Sequence, residues 1–299
     1  MLLWRLAVSA VLIPLLFAAF WLDHRLGHRA YVLLALTGLL AVTSAAELAA
    51  MLRARGMKPN APLTALFALG VVGAAWWDAL ASGDPEFVAG WDALGPVAAA
   101  FALVVLALFV KQAVLYREPG GNAETLASEV LVVSYVGVLL AMTAQLRWVA
   151  GAPAGYLVLG SVVVAAKFGD VGAYTIGRLF GRRKLIPRLS PGKTWAGACG
   201  ALGASGLAGW AWLHWATPLF DPAWRPPAAG WAVLYGMLIG LAGLVGDLCE
   251  SLLKRDMGKK DSANLLPGFG GLLDLLDSIL FAGPLAWLLW QTLPLATWR

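Results

Sequence analysis

The sequence predicts an all-α, polytopic membrane protein with about nine transmembrane helices. Three observations carry that reading. Hydrophobic residues make up 60% of the 299, where soluble domains average about 45–50%. Charged residues make up 13%, about half the usual soluble share of about 25%. Apolar stretches long enough to cross a bilayer recur along the whole chain. The same composition excludes disorder, which needs few apolar residues. Two cysteines, Cys199 and Cys249, exclude a disulfide scaffold and read as small buried hydrophobes.

A helix needs roughly 20 apolar residues to cross a hydrocarbon core of about 30 Å. The segment 5–22 follows Arg5 and has the outline of a signal peptide. Its apolar run continues to Leu22 without a convincing cleavage site, so it reads as a first membrane helix. Segments 31–52, 62–82 and 95–115 are plain apolar runs. Segments 127–146 and 155–177 are interrupted by Glu129 and by Lys167 and Asp170. Segments 197–215 and 229–250 carry Gly197, Gly200, Gly203, Gly206, Gly209, Gly236 and Gly240, small residues that let helix backbones approach closely in lipid. Segment 272–292 follows Pro267-Gly-Phe-Gly-Gly271. Neither an internal repeat nor a separate soluble domain is visible. The chain reads as one integrated membrane domain, with N-terminal transmembrane helices over 1–150 and a C-terminal transmembrane region over 151–299 that holds the chemistry.

The net charge is +5, which in a membrane chain reports topology and anionic lipid rather than nucleic acid. With nine crossings, one side collects Arg5, Arg53, Arg55, Lys58, Lys111, Arg117, Arg178, Arg182, Arg183, Lys184, Arg188, Lys193, Lys254, Arg255, Lys259 and Lys260. The other collects Arg25, Arg29, Arg147, Arg225 and Arg299. The excess puts the N-terminus and the loops after the even-numbered helices in the cytoplasm.

Carboxylates inside spans are expensive, so each demands a partner or a function. Glu47, Glu129 and Asp78 are scattered and read as solvated or locally paired. The C-terminal half is different. Asp170 lies near the cytoplasmic end of its helix, one turn after Lys167. Asp247 and Glu250, and again Asp274 and Asp277, lie at i and i+3, which places each pair on one helix face. Five acids thus arrive from three helices at similar depth. Such an oxygen-rich cluster suits a hard cation such as Mg²⁺.

The counterpart of this cluster is basic. No acid occurs from Val171 to Phe220, and Arg178–Lys193 holds six cations. Ser190-Pro191-Gly192-Lys193-Thr194 offers amides, hydroxyls and an ammonium to phosphate oxygens. A second basic loop, Lys254-Arg255-Asp256-Met257-Gly258-Lys259-Lys260-Asp261, leads into the glycine turn that opens the last helix, a natural anion site. His24, His28 and His214 fall on the outer side, leaving the site without a histidine base. That fits a nucleophile that is already ionised, such as a phosphate monoester.

At these residues the chain resembles the phosphatidate cytidylyltransferase (CDP-diacylglycerol synthase) family. Ser251, Lys254, Arg255, Lys260, Asp261, Pro267, Gly270, Gly271, Asp274 and Asp277 fall on the family pattern in register. Gly246, Asp247 and Leu248 match an upstream element. So do Asp170, Gly172, Ala173 and Tyr174, and Ser190, Pro191, Lys193, Thr194 and Trp195. The match covers about residues 165–280.

The resemblance implies that CTP and phosphatidic acid give CDP-diacylglycerol and pyrophosphate, in phospholipid biosynthesis. It implies catalytic roles for Asp247, Asp274, Asp277 and Lys260, and metal ligation by Asp247, Asp274 and Asp170. It implies substrate binding by Ser190, Lys193, Thr194, Ser251, Lys254, Arg255, Lys260, Gly270 and Gly271. Mg²⁺ is the implied cofactor, with room for a second cation such as K⁺. The lipid bilayer and a second copy of the chain are the implied partners, with residues 1–150 supplying support and dimer contacts. The implied location is the inner membrane with the site facing the cytoplasm. Three positions depart from the family pattern: Phe269 replaces a histidine, Leu275 an arginine and Ala196 a glutamate. Each replacement removes a polar group, so a weaker or re-targeted enzyme is expected. A cytidylyltransferase or CTP-dependent kinase for another lipid, and a non-enzymatic transporter, are the competing readings.

Overall fold

The computed structural model describes residues 2–83, 88–263, 265 and 270–296. Pro267, Phe269 and Arg299 of the sequence reading lie outside the described residues.

The protein is an all-α integral membrane protein, and every expected segment falls on helix. α1 covers Leu2–Leu26 and α2 covers Tyr31–Ala54. Asp23 Oδ1 accepts the Val32 amide at 2.7 Å, supplying the cap that Ala30 cannot. The expected span 62–82 is broken into α3, Ala61–Ala74, and α4, Trp77–Ala81. Asn60 caps α3 through its side chain, which accepts from Leu63 N at 3.2 Å. After a 3₁₀ turn at Trp91–Ala93, α5 runs over Leu94–Leu115. α6, Asn122–Val132, passes through a π-helical segment, Val133–Val138, into α7, Leu139–Gln145. The π segment lies where Gly137 meets Ala68; a Cβ on Gly137 would sit 3.1 Å from the Ala68 Cα.

α8 is Gly155–Phe180, α9 is Trp195–Phe220, α10 is Ala229–Asp256 and α11 is Leu272–Thr292. The basic stretch between α8 and α9 folds as a small antiparallel hairpin, β1 Lys184–Ile186 and β2 Ser190–Thr194, turning at Pro187. Thr194 ends the hairpin and caps α9, accepting from Gly197 N at 3.0 Å.

Among the described residues six stretches are long and apolar enough to cross a membrane: Tyr31–Ala54, Trp91–Leu115, Asn122–Gln145, Ala152–Phe180, Ala229–Asp256 and Leu272–Thr292. At 1.5 Å per residue the 14-residue α3 reaches only about 21 Å, too short by itself. The glycines, tryptophans and His214 of α9 dilute its hydropathy.

The chain divides into two compact units. The first comprises Met1–Pro85, Trp91–Ala144 and Lys254–Leu276; the second comprises Glu86–Gly90, Gln145–Leu253 and Asp277–Arg299. In the first, Glu129 is fully buried and pairs with Lys111, and its Oε1 accepts the Asn60 amide at 3.0 Å. In the second, α8, α9 and α10 are held at close range. Gly209 and Gly236 meet backbone to backbone, with room for no Cβ. Trp212 Nε1 donates to Leu157 O at 2.8 Å, and Ser161 Oγ and Tyr235 Oη share a hydrogen bond of 2.7 Å. Gly203 meets nothing within 4 Å, so the packing role expected of it is not used. Cys199 is exposed rather than buried, because its face of α9 turns outward; Cys249 is partly buried.

Candidate active site

In the second unit, α10 presents Asp247 and Glu250 one turn apart, and α11 brings Asp277 against them. One carboxylate oxygen from each lies within 4.8 Å of the others. A glycine seam makes this approach. A Cβ at Gly246 would fall 2.5 Å from Asp277 O, and one at Gly243 would fall 3.3 Å from the Ser278 Cβ. Glu250 and Asp277 are buried and Asp247 is partly so. Three mutually repelling carboxylates, two buried and one partly buried, drawn from two helices, make a set of hard oxygen donors that fits Mg²⁺.

Lysines rim this cluster. Lys193 Nζ of β2 lies 2.9 Å from Asp247 Oδ2, and Ser251 Oγ lies 3.4 Å from Asp247 Oδ1. Lys167 Nζ lies 3.3 Å from Asp170 Oδ2 and 3.0 Å from Ser278 Oγ. Ser278 is fully buried; its hydroxyl stands 3.4 Å from Asp170 Oδ2 and its amide donates to Asp277 Oδ1 at 2.5 Å. Asp170 itself is exposed. Ser190 pairs with Ile186 in the hairpin, and the Thr194 hydroxyl is engaged as the α9 cap.

The first unit holds a second cluster at the start of α11. Lys254 Nζ donates to Asp274 Oδ1 at 2.6 Å. Asp274 Oδ2 accepts from Ser262 N at 2.8 Å, Ser262 Oγ at 2.7 Å and Gly271 N at 2.7 Å. The bond from Gly271, three residues back, is the acidic half of a capping box. Glu47 of α2 completes the turn. Its Oε1 accepts the Leu272 amide and its Oε2 the Leu273 amide, both at 2.9 Å, and Ser262 Oγ donates to Oε2 at 3.0 Å. The helix-start amides that the sequence assigned to an incoming anion are thus filled by the chain's own carboxylates. The glycine turn follows from the same crowding. Gly270 has φ +98, and a Cβ on it would meet Asp274 Oδ2 at 2.5 Å; a Cβ on Gly271 would overlap Ser262 Oγ and the Glu47 carboxylate. Arg255 and Lys260 are exposed.

The second unit therefore gathers Asp247 and Asp277 with Lys193, Ser251, Asp170 and Lys167. The first gathers Asp274 with Lys254, Gly270 and Gly271. Sequence reasoning passed over Ser262 and took Glu47 as solvated or locally paired, whereas Glu47 is buried and bonded to residues more than two hundred positions away. Glu47 stood alone in an apolar helix, and only its distance from any nearby lysine hinted that its partners lay elsewhere.

The second unit of this all-α membrane protein thus holds a partly buried triad of carboxylates flanked by lysines. The sequence matches the model of the cytidylyltransferase family over residues 3–293, and the chain belongs to that family. It is similar to the phosphatidate cytidylyltransferase of Pseudomonas aeruginosa, 44% identical over 131 residues, which is 44% of this chain and 46% of that protein. It is similar to the phosphatidate cytidylyltransferase of Mycobacterium leprae, 41% identical over 133 residues, 44% of this chain and 40% of that protein. It also resembles the uncharacterized protein YnbB of Escherichia coli strain K12, 38% identical over 130 residues, 44% of this chain and 41% of that protein. The chain thus spans less than half the length of each of these relatives.

Proposed function

We propose that this protein transfers the cytidylyl group of CTP to phosphatidic acid, giving CDP-diacylglycerol and pyrophosphate. The observation that carries the reading is the convergence of Asp247, Glu250 and Asp277 within 4.8 Å, beside Lys193, in a member of the cytidylyltransferase family. A phosphate oxygen of phosphatidic acid forms the new bond to the α-phosphorus of CTP. The α–β phosphoanhydride bond breaks, and its electrons leave with pyrophosphate. No base is required, because the attacking phosphate is already ionised.

Asp247, Glu250 and Asp277 would hold Mg²⁺, which when bound neutralises charge building on the phosphates. Asp170 is proposed to border that site. In the second unit Lys193, with Ser190, Thr194 and Ser251, is proposed to bind phosphate; in the first unit Lys254, Arg255 and Lys260, with Gly270 and Gly271, are proposed for the same task. Lys193 and Lys254 each orient a carboxylate and so preset the charge balance before substrate arrives. Asp274 is fully hydrogen-bonded, which favours a role in fixing the turn ahead of α11 and Lys254 with it; direct metal ligation by Asp274 requires that these bonds open. The acyl chains stay in the bilayer. We place the site on the cytoplasmic side of the inner membrane from the asymmetry of lysine and arginine, and retain a homodimer as the implied assembly.

The deciding experiment incubates purified protein with α-labelled CTP, phosphatidic acid and Mg²⁺. Labelled lipid supports the reading. Label appearing only with another lipid phosphate re-targets it. Phosphate transfer from γ-labelled CTP to a lipid alcohol makes the protein a CTP-dependent kinase. Failure of CTP to bind, together with ion-coupled uptake, makes it a transporter.

A further inference from the structure

The basic hairpin between α8 and α9 has two sides, because successive residues of a strand alternate. Lys193 of β2 turns toward Asp247, 2.9 Å away, so its neighbours Gly192 and Thr194 turn to the opposite side. There, against the end of α8, lies a pocket of about 270 Å³ walled by Tyr174, Gly177, Arg178, Lys184, Gly192 and Thr194. All of it belongs to the second unit.

The pocket is cationic. Arg178 stands in the last turn of α8, and its guanidinium donates to the Tyr174 hydroxyl at 2.8 Å. That bond holds the guanidinium in place and leaves the hydroxyl hydrogen of Tyr174 for an acceptor. Among the described residues neither Arg178 nor Lys184 pairs with an acid, and the sequence has no acid from Val171 to Phe220. Two like charges on one concave surface repel, and an anion between them relieves the repulsion. A planar guanidinium, an ammonium and a phenolic hydroxyl suit the oxygens of a phosphate.

α8 supplies the apolar half. Phe168, Val171, Tyr174 and Arg178 follow at three- and four-residue spacing and so share one stripe of the helix. Phe168 is 56% exposed, Val171 60% and Tyr174 66%. The stripe lies on a stretch long and apolar enough to cross a membrane, Ala152–Phe180, and ends at the cations. A free phosphate would use only the cationic end, whereas a phospholipid uses both.

We infer that this pocket binds an anionic membrane phospholipid, its phosphate on Arg178 and Lys184 and its acyl chains along Phe168 and Val171, as a lipid site separate from the carboxylate triad.

The test follows thermal unfolding of the full-length protein in a nonionic detergent. Dihexanoyl phosphatidylglycerol should raise the wild-type midpoint by roughly 3–6 °C at saturation. Dihexanoyl phosphatidylcholine, glycerol 3-phosphate and inorganic phosphate at the same concentration should move it by less than about 1 °C. Arg178→Ala and Lys184→Ala, both at exposed positions, should each raise the half-saturating lipid concentration about tenfold or more. Arg178→Lys and Lys184→Arg should keep most of the binding. Arg188→Ala removes a hairpin cation outside the pocket, and Lys193→Ala one on the opposite side; both should respond to the lipid as wild type does. Absence of a phosphatidylglycerol shift, or an equal shift with free phosphate or phosphatidylcholine, overturns the inference. So does an equal loss in Arg188→Ala, which would make the hairpin a diffuse basic surface, or in Lys193→Ala, which would put the lipid beside the triad.

Discussion

Glu47 Oε2 lies 2.9 Å from the backbone nitrogen of Leu273, so a carboxylate of the second helix caps the last one. The negative charge meets two free amides and the positive end of the helix dipole. Glu47→Ala removes both acceptors and leaves the Ser262 hydroxyl with one partner fewer. It should cost about 2–4 kcal/mol. Glu47→Gln keeps one acceptor oxygen and should cost roughly half as much. Thermal unfolding in detergent checks the order; an alanine variant as stable as wild type would refute the capping role.

The glycine turn should be intolerant where it touches acids. Gly271→Ala drives a methyl group into Ser262 and Glu47, and Gly270→Ala adds strain at φ +98. Each should destabilise by about 2 kcal/mol or more. Gly203→Ala, in open space within a helix, should be neutral or stabilise by up to about 1 kcal/mol. Comparing the three unfolding midpoints tests whether crowding, and not glycine as such, sets the requirement.

Asp277→Asn keeps size and removes charge from the carboxylate triad. It should lower labelled-lipid formation by about 100-fold or more, and it should abolish the rise in unfolding temperature that Mg²⁺ gives wild type. Asp247→Asn should behave alike. Retention of the Mg²⁺ shift in either variant would remove that residue from the metal site.

The topology has its own test. Single cysteines at Leu185 and Lys259, in a background lacking Cys199 and Cys249, should resist an impermeant thiol reagent outside intact cells and react after permeabilisation. Ready labelling from outside would invert the orientation drawn from the basic residues.

Much of this molecule was legible in the sequence because hydropathy and i, i+3 spacing are local. The helix positions, the shared face of Asp247 and Glu250, and the arrival of Asp277 beside them follow from such patterns. What stayed hidden depends on partners far along the chain. Glu47 bonds to residues 225 and 226 positions away, which no local pattern records. The hairpin at Lys184–Thr194 was hidden by its charge, which reads as loop. The break between α3 and α4 lies in a run that is apolar throughout, so composition alone joins them. Lys167 and Asp170 were visible as a pair, whereas Ser278, which ties that pair to Asp277, carries no charge to draw attention.

The capping of α11 by Glu47 also orders the birth of the protein. Residue 47 leaves the ribosome more than two hundred residues before Leu272 and Leu273 do. During that interval the N-terminal helices enter the bilayer carrying an acid whose native partners do not yet exist. Until α11 arrives, that acid must keep contact with water at the bilayer surface. A chain stopped after Asp256 would be left in that condition permanently, exposed to quality-control proteases. α11 therefore supplies, more than two hundred residues later, the partners that the acid of α2 requires.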